Sequence, residues 1–168
     1  MKNIELKVIL RDPETVIRRL KKIRARFIGK LAQADTYFNC RKGRLKLREI
    51  NRKSFELIYY KRPDTKSSKV CDYQVLPIES SQKENIKLLL SKALGTRIAV
   101  TKVRNLWLKK NTRIHLDKVR NLGNYLELET VVKKGILNAK KEQQDVIELL
   151  GISKAKKVDV SYGDLLLK

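Results

Sequence analysis

The chain has 168 residues, enough for one domain with a substantial core. Its 40 Lys and Arg outnumber 18 Asp and Glu to give a net charge of +22, a field that attracts polyanions such as nucleic acid or a polyphosphate. There is no run of about 18 apolar residues, no signal-peptide core after Met1-Lys2-Asn3-Ile4-Glu5, and no CxxC pair around Cys40 and Cys71, so a membrane span, a disulfide framework and a zinc site are not expected and the protein is placed in the cytoplasm.

Period-two alternation dominates the pattern. A first strand is expected over Asn3–Leu10, where Asn3, Glu5 and Lys7 alternate with Ile4, Leu6 and Val8. Asp12-Pro13-Glu14 then supplies an N-cap, a first-turn proline and a first-turn acid. The helix they start is predicted to run through Val16, Ile17, Leu20 and Ile23 to near Arg26. Strands follow over Ala32–Cys40, Arg44–Ile50, Phe55–Arg62 and Val70–Leu76, with a turn at Lys42-Gly43 and a longer loop around Pro63-Asp64 and Lys66–Lys69. A second helix opens at Ser80 or Ser81 and closes at Gly95. Strands over Arg97–Lys109, Thr112–Asp117 and Asn124–Val132, a third helix over Ala139–Leu150, and a tail returning at Val160–Leu166 complete the chain.

Hairpin-like separations make the sheet largely antiparallel. The expected fold is α+β: a closed or nearly closed antiparallel β-barrel of about eight strands, with helices packed outside, in one domain spanning residues 1–168.

The polar faces of these strands are dense in charge. Arg44, Lys46 and Arg48 share a face, as do Lys102 and Arg104; Arg113, His115 and Asp117; Glu127 and Glu129; and Glu5 and Lys7. On an open sheet such faces are simply wet. In a barrel with its helices outside they point into the lumen, where charge must be paired or metal-bound. Lys and Arg suit phosphate oxygens, and carboxylates two apart on one strand suit a hard cation.

In order and spacing, several segments resemble one family. They are Ile4-Glu5-Leu6-Lys7, Asp35-Thr36-Tyr37-Phe38, Gly43 through Arg48, Leu57 through Pro63, and Lys102-Val103-Arg104. Arg113 through Asp117, Leu122 through Glu129 and Ser161 through Leu166 continue the series. The chain resembles the CYTH domain, or triphosphate tunnel metalloenzyme superfamily, which includes class IV adenylate cyclases, thiamine triphosphatases and inorganic triphosphatases. The resemblance implies a Mg2+ or Mn2+ ion held by Glu5, Glu127 and Glu129 with Asp117 nearby, and catalytic roles for Glu5, Lys7 and Asp117. It implies phosphate binding by Lys7, Arg44, Lys46, Arg48, Lys61, Lys102, Arg104 and Arg113. Alternation sends Lys61 and Arg62 to opposite faces. The family opens Glu-x-Glu-x-Lys, whereas this chain has Asn3 at the first position, so one anionic ligand is missing.

The first functional expectation is metal-dependent hydrolysis of a triphosphate-containing small molecule, a reaction of positioning and charge stabilisation. The second is cyclisation of ATP to cyclic AMP and pyrophosphate. The third is a non-catalytic binder of triphosphates or RNA 5′ ends. It draws on basic runs at Arg18–Arg26, Lys133-Lys134, Lys140-Lys141 and Lys154–Lys157, which read equally as solvated surface. The protein is expected to act as a monomer or homodimer. His115, Cys40 and Cys71 lack partners for a catalytic triad, and Tyr162 reads as structural.

Overall fold

A computed structural model describes residues 2–61, Pro63 and residues 69–168. Arg62, Asp64 and Lys66–Ser68, part of the expected strand end and loop, lie outside the described residues. Eight strands are present: β1 (Lys2–Ile9), β2 (Arg26–Phe38), β3 (Arg44–Ile50), β4 (Ser54–Lys61), β5 (Lys69–Ile78), β6 (Thr96–Lys109), β7 (Thr112–Val119) and β8 (Gly123–Val131). Among the described residues four α-helices accompany them: α1 (Pro13–Lys22), α2 (Lys83–Leu94), α3 (Ile136–Leu149) and α4 (Tyr162–Leu166). The strands form a closed barrel in the order β1-β5-β4-β3-β2-β6-β7-β8, antiparallel at every pairing. β1 closes it by pairing β5 on one edge and β8 on the other.

The outer face of β1, β7 and β8 is apolar because alternation turns Leu6, Val8, Ile114, Leu116, Leu126 and Leu128 outward. They pack against Val16 and Leu20 of α1 and Val146 and Ile147 of α3. Their opposite faces are thereby committed to the lumen.

Helix α1 begins as the sequence indicates: the Asp12 carboxylate accepts from Thr15 N at 3.0 Å, and Pro13 takes the first turn. It ends earlier than expected, at Lys22 rather than near Arg26. Arg24 adopts φ 54°, Arg24 N donates to Lys21 O, and Ala25 N donates to Leu20 O. This is a Schellman ending built on an arginine instead of the usual glycine. Lys109 Nζ donates to Ile23 O at 2.6 Å, taking up another terminal carbonyl. The residues so released extend β2 along β6, from Arg26 opposite Leu108, with a bulge between Phe27 and Gly29.

The tail forms α4 through a capping box. Ser161 Oγ accepts from Asp164 N, and the Asp164 carboxylate accepts from Ser161 N, each at 3.1 Å. Asp164 also pairs with Arg44 at 3.1 Å and Arg97 at 2.9 Å, which fastens α4 to β3 and β6. Among the described residues, no helix is long and apolar enough to cross a membrane.

Leu126 is fully buried between barrel and helices, whereas Leu137 at the start of α3 is 82% exposed. Leu126→Ala should cost about 2–5 kcal/mol in urea unfolding, and Leu137→Ala less than about 0.5 kcal/mol. Equal costs would mean that the helices do not cover this face.

Candidate triphosphate site

The barrel encloses a cavity of about 190 Å³. Each strand contributes alternate residues to it, so side chains distant in sequence meet there. Asn3, Glu5 and Lys7 come from β1; Lys46 and Arg48 from β3; Lys102 and Arg104 from β6; Arg113 from β7; and Glu127 and Glu129 from β8. Register explains the grouping. Glu5 lies opposite Glu129, and Lys7 opposite Glu127, across the β1–β8 pair. Arg113 lies opposite Glu129, and His115 opposite Glu127, across β7–β8. Glu5, Glu127 and Glu129 therefore collect on the β1–β8 wall, while Lys46, Arg48 and Lys102 stand together where β3 and β6 flank β2, with Glu56 of β4 opposite Arg48.

These charges are matched rather than left to repel. Arg104 is buried and grips Asp117 with two hydrogen bonds, 2.7 Å from Nε and 2.6 Å from Nη2, and reaches Glu127 at 2.9 Å. Lys7 lies 3.6 Å from Glu127 and 4.1 Å from the Tyr162 ring centre, and donates to Val160 O. Arg113 pairs with Glu129 at 2.8 Å. Burial alone would raise the Glu127 carboxyl, but Lys7, His115 and Arg104 hold it well below the usual carboxylate range. Burial likewise opposes ionisation of Glu129, and His115 and Arg113 outweigh it.

Sequence analysis named most of this lining, but three residues sit elsewhere. Lys61 is exposed and lies on the face of β4 opposite Ile58 and Tyr60, which line the cavity. Its predicted phosphate contact is therefore not supported, and Arg62 lies outside the described residues. Arg44 stands at the end of the barrel, committed to Asp164. Asp117, expected beside the metal, stands behind Arg104 and accepts from the Tyr162 hydroxyl at 3.0 Å. Any effect of Asp117 on a phosphate must pass through those two groups.

The structure also adds residues. Asp35 anchors Lys46, Arg48 and Lys102 from behind. Tyr162, read as structural, enters the lining together with Tyr37, Tyr60 and Tyr73. The alternation of Gln33, Asp35 and Tyr37 could have placed Asp35 on an inner face, but its cations lie up to 67 positions away in sequence.

One group of atoms suits a cation. Ligand atoms of His115, Glu127 and Glu129 lie within 4.8 Å of one another. Nearby on β1, the Asn3 side-chain oxygen is buried and has no hydrogen-bond partner. Such an orphaned acceptor costs free energy unless something positive meets it. Carboxylates and an amide oxygen form a hard donor set of the kind Mg2+ and Mn2+ take.

The CYTH domain profile matches residues 1–162. The chain belongs to the CYTH domain family. A relative from Methanocaldococcus jannaschii, named as a candidate adenylate cyclase, is 30% identical over 98% of each chain. Among solved structures, the PH1012 protein of Pyrococcus horikoshii superposes with a TM-score of 0.85 at 22% identity, over 97% of this chain and 98% of that one. HpAC1 from Hippeastrum, described as a candidate adenylyl cyclase with a dominant triphosphatase activity, superposes with a TM-score of 0.67 at 12% identity, over 98% and 94%. The structural likenesses establish the shared barrel. CYTH tunnel proteins generally depend on a divalent metal, and the donor set around Glu127 and Glu129 fits one.

The Arg104–Asp117 pair offers a test of how this CYTH tunnel is held. Arg104→Met should destabilise the protein by about 3–5 kcal/mol, because Asp117 and Glu127 lose their shared partner in a buried site. Adding Asp117→Leu to that variant should recover part of the loss in denaturant unfolding. A double variant no more stable than Arg104→Met would show that unpaired Asp117 is not the cause.

Proposed function

We propose that this protein hydrolyses a triphosphate-containing small molecule, such as a nucleotide, thiamine triphosphate or inorganic triphosphate, with the aid of a divalent cation bound in the barrel. The observation that carries this reading is the enclosed cavity with Glu5, Glu127 and Glu129 on one wall and Lys46, Arg48 and Lys102 on another. Glu5, Glu127 and Glu129, with the Asn3 oxygen, are the residues that would hold the cation; His115 stands beside them as a nitrogen donor. When bound, the cation supplies charge neutralisation at phosphate oxygens and a more acidic water.

The chain's own residues divide the remaining work. Lys46, Arg48 and Lys102 take phosphate oxygens on the wall away from Glu5, Glu127 and Glu129. Lys7 and Arg104, each shared with Glu127, stand where the two walls meet and are placed to offset charge that develops on the transferring phosphoryl group. Asp117 and Tyr162 keep Arg104 in place. Six cations line the cavity with Glu5, Glu56, Glu127 and Glu129, and the buried Asp35 and Asp117 bring the two signs into balance. A tetraanionic chain entering a balanced site needs accompanying positive charge, which is a reason in this protein's own electrostatics for a metal requirement.

Cavity size supports hydrolysis over cyclisation. Sites that enclose a drug-sized ligand run to about 300 Å³ or more, and this one is smaller. That size suits a triphosphate chain better than a whole nucleotide. Cyclisation demands in addition that a ribose be seated against the α-phosphate. That second reading draws on the name of the Methanocaldococcus jannaschii relative and on the tyrosines of the lining, Tyr37, Tyr60 and Tyr73, which offer faces to a base.

A panel of ATP, thiamine triphosphate and inorganic triphosphate, assayed with Mg2+, with Mn2+ and with chelator, should release free phosphate only when metal is present. Pyrophosphate and cyclic AMP appearing from ATP without free phosphate would replace hydrolysis with cyclisation. Tight binding with no turnover of any substrate would make the protein a binder. In the same panel, Asn3→Glu restores an anionic ligand and should lower the half-saturating Mg2+ concentration by about tenfold, since affinity for hard cations follows ligand charge. An unchanged Mg2+ requirement would remove Asn3 from the ligand set.

A further inference from the structure

Asp35 is 1% exposed and does not line the cavity, yet it touches three side chains that do. Its Oδ1 accepts from Arg48 Nε at 2.7 Å. Its Oδ2 accepts from Arg48 Nη2 at 2.9 Å, Lys46 Nζ at 3.1 Å and Lys102 Nζ at 3.2 Å. Four such bonds engage both oxygens of the carboxylate. β2 lies between β3 and β6 in the barrel, so a single side chain on β2 fixes cations from both neighbours. Each cation keeps donors to spare: an ammonium has three and a guanidinium five.

We propose that Asp35 is a positioning residue for triphosphate: from behind the tunnel wall it holds Lys46, Arg48 and Lys102 as one cradle, and its charge keeps the Lys102 ammonium available to phosphate. The inference rests on the triphosphate reading of the cavity.

Lys102 is the member that depends most on this support. Burial pushes its ammonium down to about 7; Asp35 is the strongest opposing influence, Arg104 and Arg48 add to the depression, and Asp117 offsets part of it. Lys46 shares Asp35 with it, and the Tyr162 ring lies 5.3 Å from its nitrogen. Arg48, by contrast, is a guanidinium and stays charged without help. Removing the Asp35 charge should therefore leave Arg48 cationic and let Lys102 lose its proton at a lower pH.

The simplest rival is that Asp35 is only an anion competing with the ligand. Its removal would then tighten binding by the same factor at every pH. Calorimetric titration of a non-hydrolysable methylene-bridged analogue of inorganic triphosphate into the full-length wild type, Asp35→Asn and Lys102→Arg, in Mg2+ and across about pH 6 to 8.5, separates the two. The ratio of dissociation constants, variant to wild type, cancels the ligand's own titration. For Asp35→Asn that ratio should lie near or below one at the acid end and climb to about tenfold weaker binding at pH 8, the scale of one charge-assisted contact. For Lys102→Arg the loss of affinity that the wild type shows above neutrality should disappear. A flat Asp35→Asn ratio, or uniformly tighter binding, overturns the inference. If Asp35→Asn does not fold, wild type and Lys102→Arg decide: parallel pH curves overturn the inference, and curves that diverge above pH 7 support it. A wild type that binds no triphosphate at any pH removes the triphosphate reading and this inference together, whereas binding without these pH effects removes this inference alone.

Discussion

The barrel carries charge inside because its cations and carboxylates are matched in position. Arg104 with Asp117, Lys7 with Glu127, Arg113 with Glu129, and Asp35 with three cations each turn an otherwise prohibitive burial into a tolerated one. Such pairs add little net stability compared with an apolar core. Apolar contacts stabilise the outer layer between β1, β7, β8 and the helices α1 and α3, and a second cluster that includes Tyr37, Ile58, Tyr60 and Tyr162 packs beside the cavity itself. On β1, β7 and β8, the outer apolar layer and the charged site thus occupy opposite faces of the same strands.

That division gives the site a particular architecture. Some carboxylates line the cavity and others stand behind it. Glu5, Glu127 and Glu129 belong to the lining. Asp35 and Asp117 form a second row, where each constrains cations that face inward. The short helix α4 completes the arrangement: its capping box and the Asp164 pairs with Arg44 and Arg97 hold Tyr162 against Asp117 and over Lys7. A segment that reads as a trailing tail is thus part of the tunnel.

Membership of the CYTH family and the closed barrel agree with each other and with the charged lumen. This chain departs from the family's opening pattern at Asn3. The exchange of an acid for an amide leaves an acceptor oxygen in place, buried and without a hydrogen-bond partner.

Alternation along the chain located the strands, apart from the first six residues of β2, because a residue's face in a strand depends only on its parity. Arg44–Ile50 has the same bounds in sequence and structure, and Gly95 ends α2 as a glycine should. Parity also put Lys46 with Arg48, Lys102 with Arg104, and Glu127 with Glu129 on shared faces. The early end of α1 was not legible, because Arg24 gives no local sign that it will take a left-handed conformation. Lys61 was misplaced because resemblance assigned it a role that its parity denies. What the sequence could not contain is which faces meet. The partnership of Asp35 with Lys102, the retreat of Asp117 behind Arg104 and the entry of Tyr162 into the lumen follow from barrel closure and strand register. Those contacts span tens of residues in the chain, and only the tertiary structure brings their charges within hydrogen-bonding distance.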